Sequence, residues 1–172
     1  MKTKILYSGR SMIEMLGVLA IMGIITGMSI AAYNMAMGTL KSGRTTEDIT
    51  KIQQSIRSLY PDGVYKDIKT KTFVDLGVIS PLSGRPEVGR NQYGGSYEIK
   101  SADGDLSFAI ILTKVPKKDC ITFVTAKQPG VIGMGVSNGD TVDPNNDPEK
   151  DRAILTSACT QNDVLTVGFK YR

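Results

Sequence analysis

The 172-residue chain is 41% hydrophobic and 22% charged with a formal net charge of +4, which fits one folded domain plus an accessory element and is short for two ordinary domains. It has no histidine, so the commonest general base, the commonest zinc ligand and every Ser-His or Cys-His arrangement are missing, and the chain reads as no enzyme. Its basic residues are scattered, with only Lys114, Lys117 and Lys118 close together and no Trp between charges, so a nucleic-acid groove is not expected.

The first predicted element is a membrane helix. From Met15 to Leu40 there is no charged residue, and about 20 apolar residues cross a bilayer as a helix. Lys2, Lys4 and Arg10 precede the run, which keeps the N-terminus in the cytoplasm and sends the body of the chain across. An ordinary secretory signal would use the small residues Gly27, Ser29, Ala31 and Ala32 for cleavage. Against that reading stands Glu14, a carboxylate at the edge of the uncharged run, which costs about 2.5–3.5 kcal/mol in hydrocarbon unless a cation meets it. Arg10 lies four residues earlier and offers one local partner. Gly23 and Gly27 form a small-xxx-small pair that permits close helix contact in lipid.

The stretch Ser8-Gly9-Arg10-Ser11-Met12-Ile13-Glu14-Met15-Leu16-Gly17 resembles the type IV pilin and pseudopilin family. Precursors in that family carry a short basic leader ending in glycine, a glutamate five residues into the mature chain, and then an apolar helix. The resemblance implies that a prepilin peptidase cuts between Gly9 and Arg10 and methylates the new amine. It also implies that Glu14 sets assembly register against the N-terminal amine of a neighbouring subunit. Arg10 departs from the usual phenylalanine or methionine, and the family's mid-helix proline is missing.

Beyond Leu40, Ile49, Ile52, Ile56 and Leu59 recur at three- and four-residue spacing, the stripe of an amphipathic helix facing a core. Gly43 with Thr45 and Asp48 offers a weak capping box that could start a separate helix. Pro61-Asp62-Gly63 stops the helix. If unbroken from Arg10 to Tyr60 it is on the order of 75 Å long. Turn formers crowd 63–95, which predicts a loop region with a short helix near Phe73 to Leu76. Strands are predicted at Ser96 to Lys100, Leu106 to Thr113, Ile121 to Ala126, Val131 to Val136 and Val164 to Tyr171, with turns at Asp103-Gly104 and Asn138-Gly139.

Val115-Pro116-Lys117-Lys118-Asp119-Cys120, and Ala158-Cys159 with the run Asp163 to Phe169, are similar to the C-terminal region of type IVb pilins. That likeness implies a bridge between Cys120 and Cys159 tying the last strand region to the sheet, and export to an oxidising compartment favours it over two free buried thiols. Two cysteines are too few for a structural zinc site. The acidic stretch Asp140, Asp143, Asn145, Asp147, Glu149 and Asp151 spaces oxygen ligands as calcium prefers. An EF-hand loop from Asp143 would need glycine at Pro148 and glutamate at Ile154, so a solvated loop is the reading and no metal or cofactor is expected.

The fold expected is α+β: a long N-terminal helix, half membrane-spanning and half amphipathic, on an antiparallel β-sheet head, the ladle of pilins. The divisions expected are a leader at 1–9, a transmembrane and filament-core half-helix at 10–40, and an extracytoplasmic head at 41–172. The resemblance implies a structural subunit of a IVb-like pilus. It would sit in the bacterial inner membrane as a single-pass protein and then in an extracellular homo- or heteropolymeric filament. Its partners would be further copies or related subunits, prepilin peptidase and the inner-membrane assembly machinery. A type II secretion pseudopilin and a monomeric membrane-anchored binding protein are the alternatives.

Overall fold

The computed structural model describes residues 12–126 and 128–172. In chain order the elements are α1 (Met12–Leu59), α2 (Thr70–Asp75), β1 (Pro81–Leu82), β2 (Arg85–Arg90), β3 (Ser96–Ala102), β4 (Ser107–Pro116), α3 (Lys117–Thr125), β5 (Val131–Ser137), α4 (Arg152–Thr160) and β6 (Val164–Tyr171). The chain divides into two units, one ending at Leu40 and the other Lys41–Arg172.

The first unit, as described, is all helix. Its serine and threonine hydroxyls bond back to the helix: the Thr26 hydroxyl donates to the Met22 carbonyl at 2.8 Å, the Ser29 hydroxyl to the Ile25 carbonyl at 2.8 Å and the Thr39 hydroxyl to the Met35 carbonyl at 3.1 Å, which suits a segment that water does not serve. The helix continues through Gly38 and Gly43 without a break. A glycine costs a helix about 1 kcal/mol, and no proline adds to it here. Thr45 is therefore a mid-helix residue and not a cap, its hydroxyl donating to the Lys41 carbonyl at 2.8 Å. The helix stops at Leu59, where Pro61 follows and Gly63 takes φ +70°, a conformation that suits glycine.

The second unit is built on a six-stranded antiparallel sheet in the order β1-β2-β3-β4-β6-β5. Thr45, Ile49, Ile52 and Ile56 form the buried stripe of α1. The three isoleucines share a core with Tyr97 and Ile99 of β3, Phe108, Ile110 and Leu112 of β4, and Val167, Phe169 and Tyr171 of β6. These positions alternate along each strand, as a sheet with one face on a helix requires. The ladder holds them in register, pairing Tyr97 with Leu112 and Ile110 with Phe169.

The opposite face of β5 and β6 is crossed by the loop after β5. A β-carbon on Gly133 would collide with the Pro144 carbonyl oxygen, one on Gly135 with the Asp143 carbonyl oxygen, and one on Gly168 would lie 2.7 Å from Val142 Cγ1. The glycines make room for backbone to lie on backbone. The same loop pairs Asn146 with Met134 along the outer edge of β5.

Two sequence expectations are corrected. Ile121 to Ala126, expected as a strand, belongs mostly to α3, with only Ala126 just beyond its end. The β-branched residues there suggest a strand, but burial falls on Cys120, Phe123 and Val124, a helical spacing, and packing overrides propensity. The expected loop of 63–95 contains the strands β1 and β2 as well as α2. Pro81 and Pro86 disguise them, and prolines are tolerated toward a sheet edge. The helix α4, with Leu155 and Cys159 buried four residues apart, was not expected at all.

Candidate functional site

The first candidate is the exposed apolar face of α1. Its most apolar stretch is wholly exposed, and it is one helix long and apolar enough to cross a membrane. Leu16 is 66% exposed, Ile24 59% and Ile30 64%. Burying one such side chain is worth about 1.5–3 kcal/mol, so the run has a drive of tens of kcal/mol into lipid or against other apolar helices. Glu14 lies in the first turn of α1, the only charged side chain of the described residues before Lys41. A carboxylate there finds no cation among the described residues of its unit. Gly9 and Arg10 lie outside the described residues.

The second candidate is the pair of short helices that carry the cysteines. β4 ends at Pro116, whose extended backbone turns the chain into α3; α4 leads back to β6. Cys120 of α3 and Cys159 of α4, each fully buried, are joined in a disulfide with Cα atoms 5.8 Å apart. The Lys117 ammonium donates to the Thr160 carbonyl at 2.9 Å, a second tie between the same helices.

The acidic stretch organises a turn. Asp147 Oδ1 accepts from the backbone N–H of Glu149 at 2.9 Å and of Lys150 at 3.2 Å, and Asp151 Oδ2 accepts from the Asp147 N–H at 2.9 Å. Those backbone donors hold the Asp147 carboxyl below its ordinary range. Asn145 Oδ1 accepts from the Lys170 ammonium at 2.8 Å. Among the described residues no three carboxylates or cysteines gather as a metal site.

Sequence reasoning missed two structural keys. One is the glycine set under the crossing loop, for which Gly133 and Gly135, two apart and so on one strand face, were the available signal. The other is Asn91, almost fully buried. Its amide donates to the Thr113 carbonyl at 2.6 Å, and its Oδ1 accepts from the N–H groups of Tyr93 and Gly95 at 2.9 and 2.8 Å. No local pattern distinguishes Asn91 from an ordinary turn asparagine.

A family model described as PilS N terminal matches residues 40–171. No curated protein matches the sequence. Among solved structures the chain is similar to TcpA, a type IV pilin from the Vibrio cholerae El Tor biotype, with a TM-score of 0.56 at 15% identity over 77% of this chain and 99% of that one. It is also similar to a type IVb pilin from Salmonella typhi, with a TM-score of 0.53 at 19% identity over 76% of this chain and 99% of that one. Those likenesses show the fold, a long N-terminal helix packed on an antiparallel sheet. With most of the chain matched by the family model, the protein belongs to the PilS family of type IVb pilins, structural subunits and not enzymes.

Proposed function

We propose that this chain is a prepilin, processed to start at Arg10 and polymerised into an extracellular type IVb pilus. Leader residues 1–9 are removed by prepilin peptidase between Gly9 and Arg10. Residues 10–40 anchor the subunit in the inner membrane with its N-terminus in the cytoplasm and later line the filament core. The head, 41–172, forms the outer surface, and the inner-membrane assembly machinery moves subunits from one setting to the other.

The observation that carries this reading is the uncharged exposed run of α1 with one carboxylate, Glu14, at its start. An apolar helix left exposed among the described residues needs lipid first and other helices afterwards. In the assembled core the free amine of a neighbouring subunit compensates the Glu14 carboxylate, which favours one axial register over the others. Closing the Cys120–Cys159 disulfide in the head fits folding on the oxidising side of the membrane.

The test is the N-terminal mass of the protein purified from the producing cell, together with Glu14→Ala screened for filaments by electron microscopy. A start at Arg10 and loss of filaments from processed Glu14→Ala are expected. A start beyond Gly27, or an intact Met1, would overturn the reading.

A further inference from the structure

One buried carboxyl has no part in the function proposed above. Asp119, in the first turn of α3, is only 7% exposed, and no ion pair is formed with it among the described residues. It faces the hydroxyl of Tyr93 from the loop between β2 and β3, and Lys41 from the first turn of α1 within Lys41–Arg172; Lys118 is the cation on its own helix. The Tyr93 hydroxyl is itself buried and makes no close hydrogen bond among the described residues, although Thr45 and Ser42 of α1 also lie beside it. Thr45 is fully buried. The neighbouring tie on the same stretch of α1 is Asp48, whose Oδ2 accepts from Gln92 at 2.9 Å and from the Tyr97 hydroxyl at 3.4 Å.

Three elements thus meet on Lys41–Asp48 around a buried acid and an unsatisfied hydroxyl. We propose that Asp119, with Tyr93 and Thr45, is a proton-responsive latch: uptake of a proton by Asp119 tightens α3 and the β2–β3 loop onto this stretch of α1, and its release loosens them. Ionised, the carboxylate is held out of water without a paired cation, which weakens the packing; neutral, it has no such penalty. Burial pushes the Asp119 carboxyl above its ordinary range, against smaller opposite pulls from the Tyr93 hydroxyl, Lys118 and Lys41. Burial also pushes the Tyr93 hydroxyl up to about 12, so Tyr93 stays neutral throughout and Asp119 is the group that titrates.

The sign follows from linkage. With the folded carboxyl above the unfolded one, the folded state binds more protons in the interval between them, so the packing strengthens as pH falls from neutrality toward the ordinary carboxylate range. Each unit of separation is about tenfold in the opening equilibrium. The latch lies wholly within Lys41–Arg172 and does not depend on the filament reading.

The experiment uses the full chain in detergent micelles. The Asp119 carboxyl is titrated by carbon-13 NMR, and amide exchange across Lys41–Asp48, corrected for its intrinsic pH dependence, is measured at about pH 7 and about pH 5. The wild type is expected to titrate above the ordinary carboxylate range and to gain protection on acidification. Asp119→Asn is expected to be protected at both pH values without that gain. Tyr93→Phe, which removes a group favouring the carboxylate, should move the Asp119 titration further up. Titration at or below the ordinary carboxylate value, or the same pH gain in Asp119→Asn, would overturn the proposal; if Asp119→Asn does not fold, the wild-type titration decides alone.

Discussion

Individual residues decide where the backbone can cross itself. A β-carbon at Gly135 meets the Asp143 carbonyl oxygen, whereas one at Gly139 has Ser137 Oγ as its nearest neighbour at 3.6 Å. Gly135→Ala should therefore cost about 1–3 kcal/mol by overpacking and Gly139→Ala almost nothing, a contrast read from paired thermal melts. Asn91 closes the β2–β3 loop with bonds to both sides; Asn91→Ala leaves the Thr113 carbonyl and two N–H groups short of partners and should cost about 2 kcal/mol. At Asp103 the Ser107 hydroxyl, at 2.7 Å, and then the Lys170 ammonium hold the carboxyl below its ordinary range. A depressed folded value contributes stability above the unfolded value that is lost as pH falls through the folded one. Ser107→Ala should therefore flatten the acid limb of the stability–pH curve, measured by denaturant melts below about pH 4.

At the scale of elements, one helix serves two solvents. Ile52 is fully buried while Ile24 is 59% exposed on the same α1. Ile52→Ala should lower head stability by about 3 kcal/mol, and Ile24→Ala should leave it unchanged, as denaturant unfolding of the two variants in micelles will show. The short helices α3 and α4 depend on their crosslink. The bridge spans a sequence separation of 39 residues, for which chain entropy gives about 3–4 kcal/mol. Replacing both cysteines by alanine should lower stability by that order, with exchange protection lost first in Lys117–Thr125 and Arg152–Thr160.

For the molecule as a whole, the sheet, the amphipathic stretch of α1 and the disulfide all lie in Lys41–Arg172, whose core includes no residue before Ile49. A fragment of Lys41–Arg172 is accordingly expected to stay monomeric and folded without detergent, and the full chain to require it; light scattering of the two checks this. Sheet edges offer little to a partner: β1 has two residues and begins with Pro81, and β5 is paired at Met134 by Asn146. Blunted edges resist strand addition, which leaves the exposed helix as the surface for association.

The chain by itself determined the features that depend on composition along a line. The uncharged run, the Ile49–Ile52–Ile56 stripe, the strands from Ser96 onward other than the misread 121–126 segment, and the pilin family were all legible, because hydrophobic periodicity and charge placement are local properties. Only the tertiary structure decided that 121–126 falls mainly in α3, that strands lie inside the proline- and glycine-rich 63–95 stretch, and that Gly133, Gly135 and Gly168 lie beneath a crossing loop. Each of these rests on contacts between residues distant in sequence, and neither propensity nor spacing records which backbone segment will lie across another.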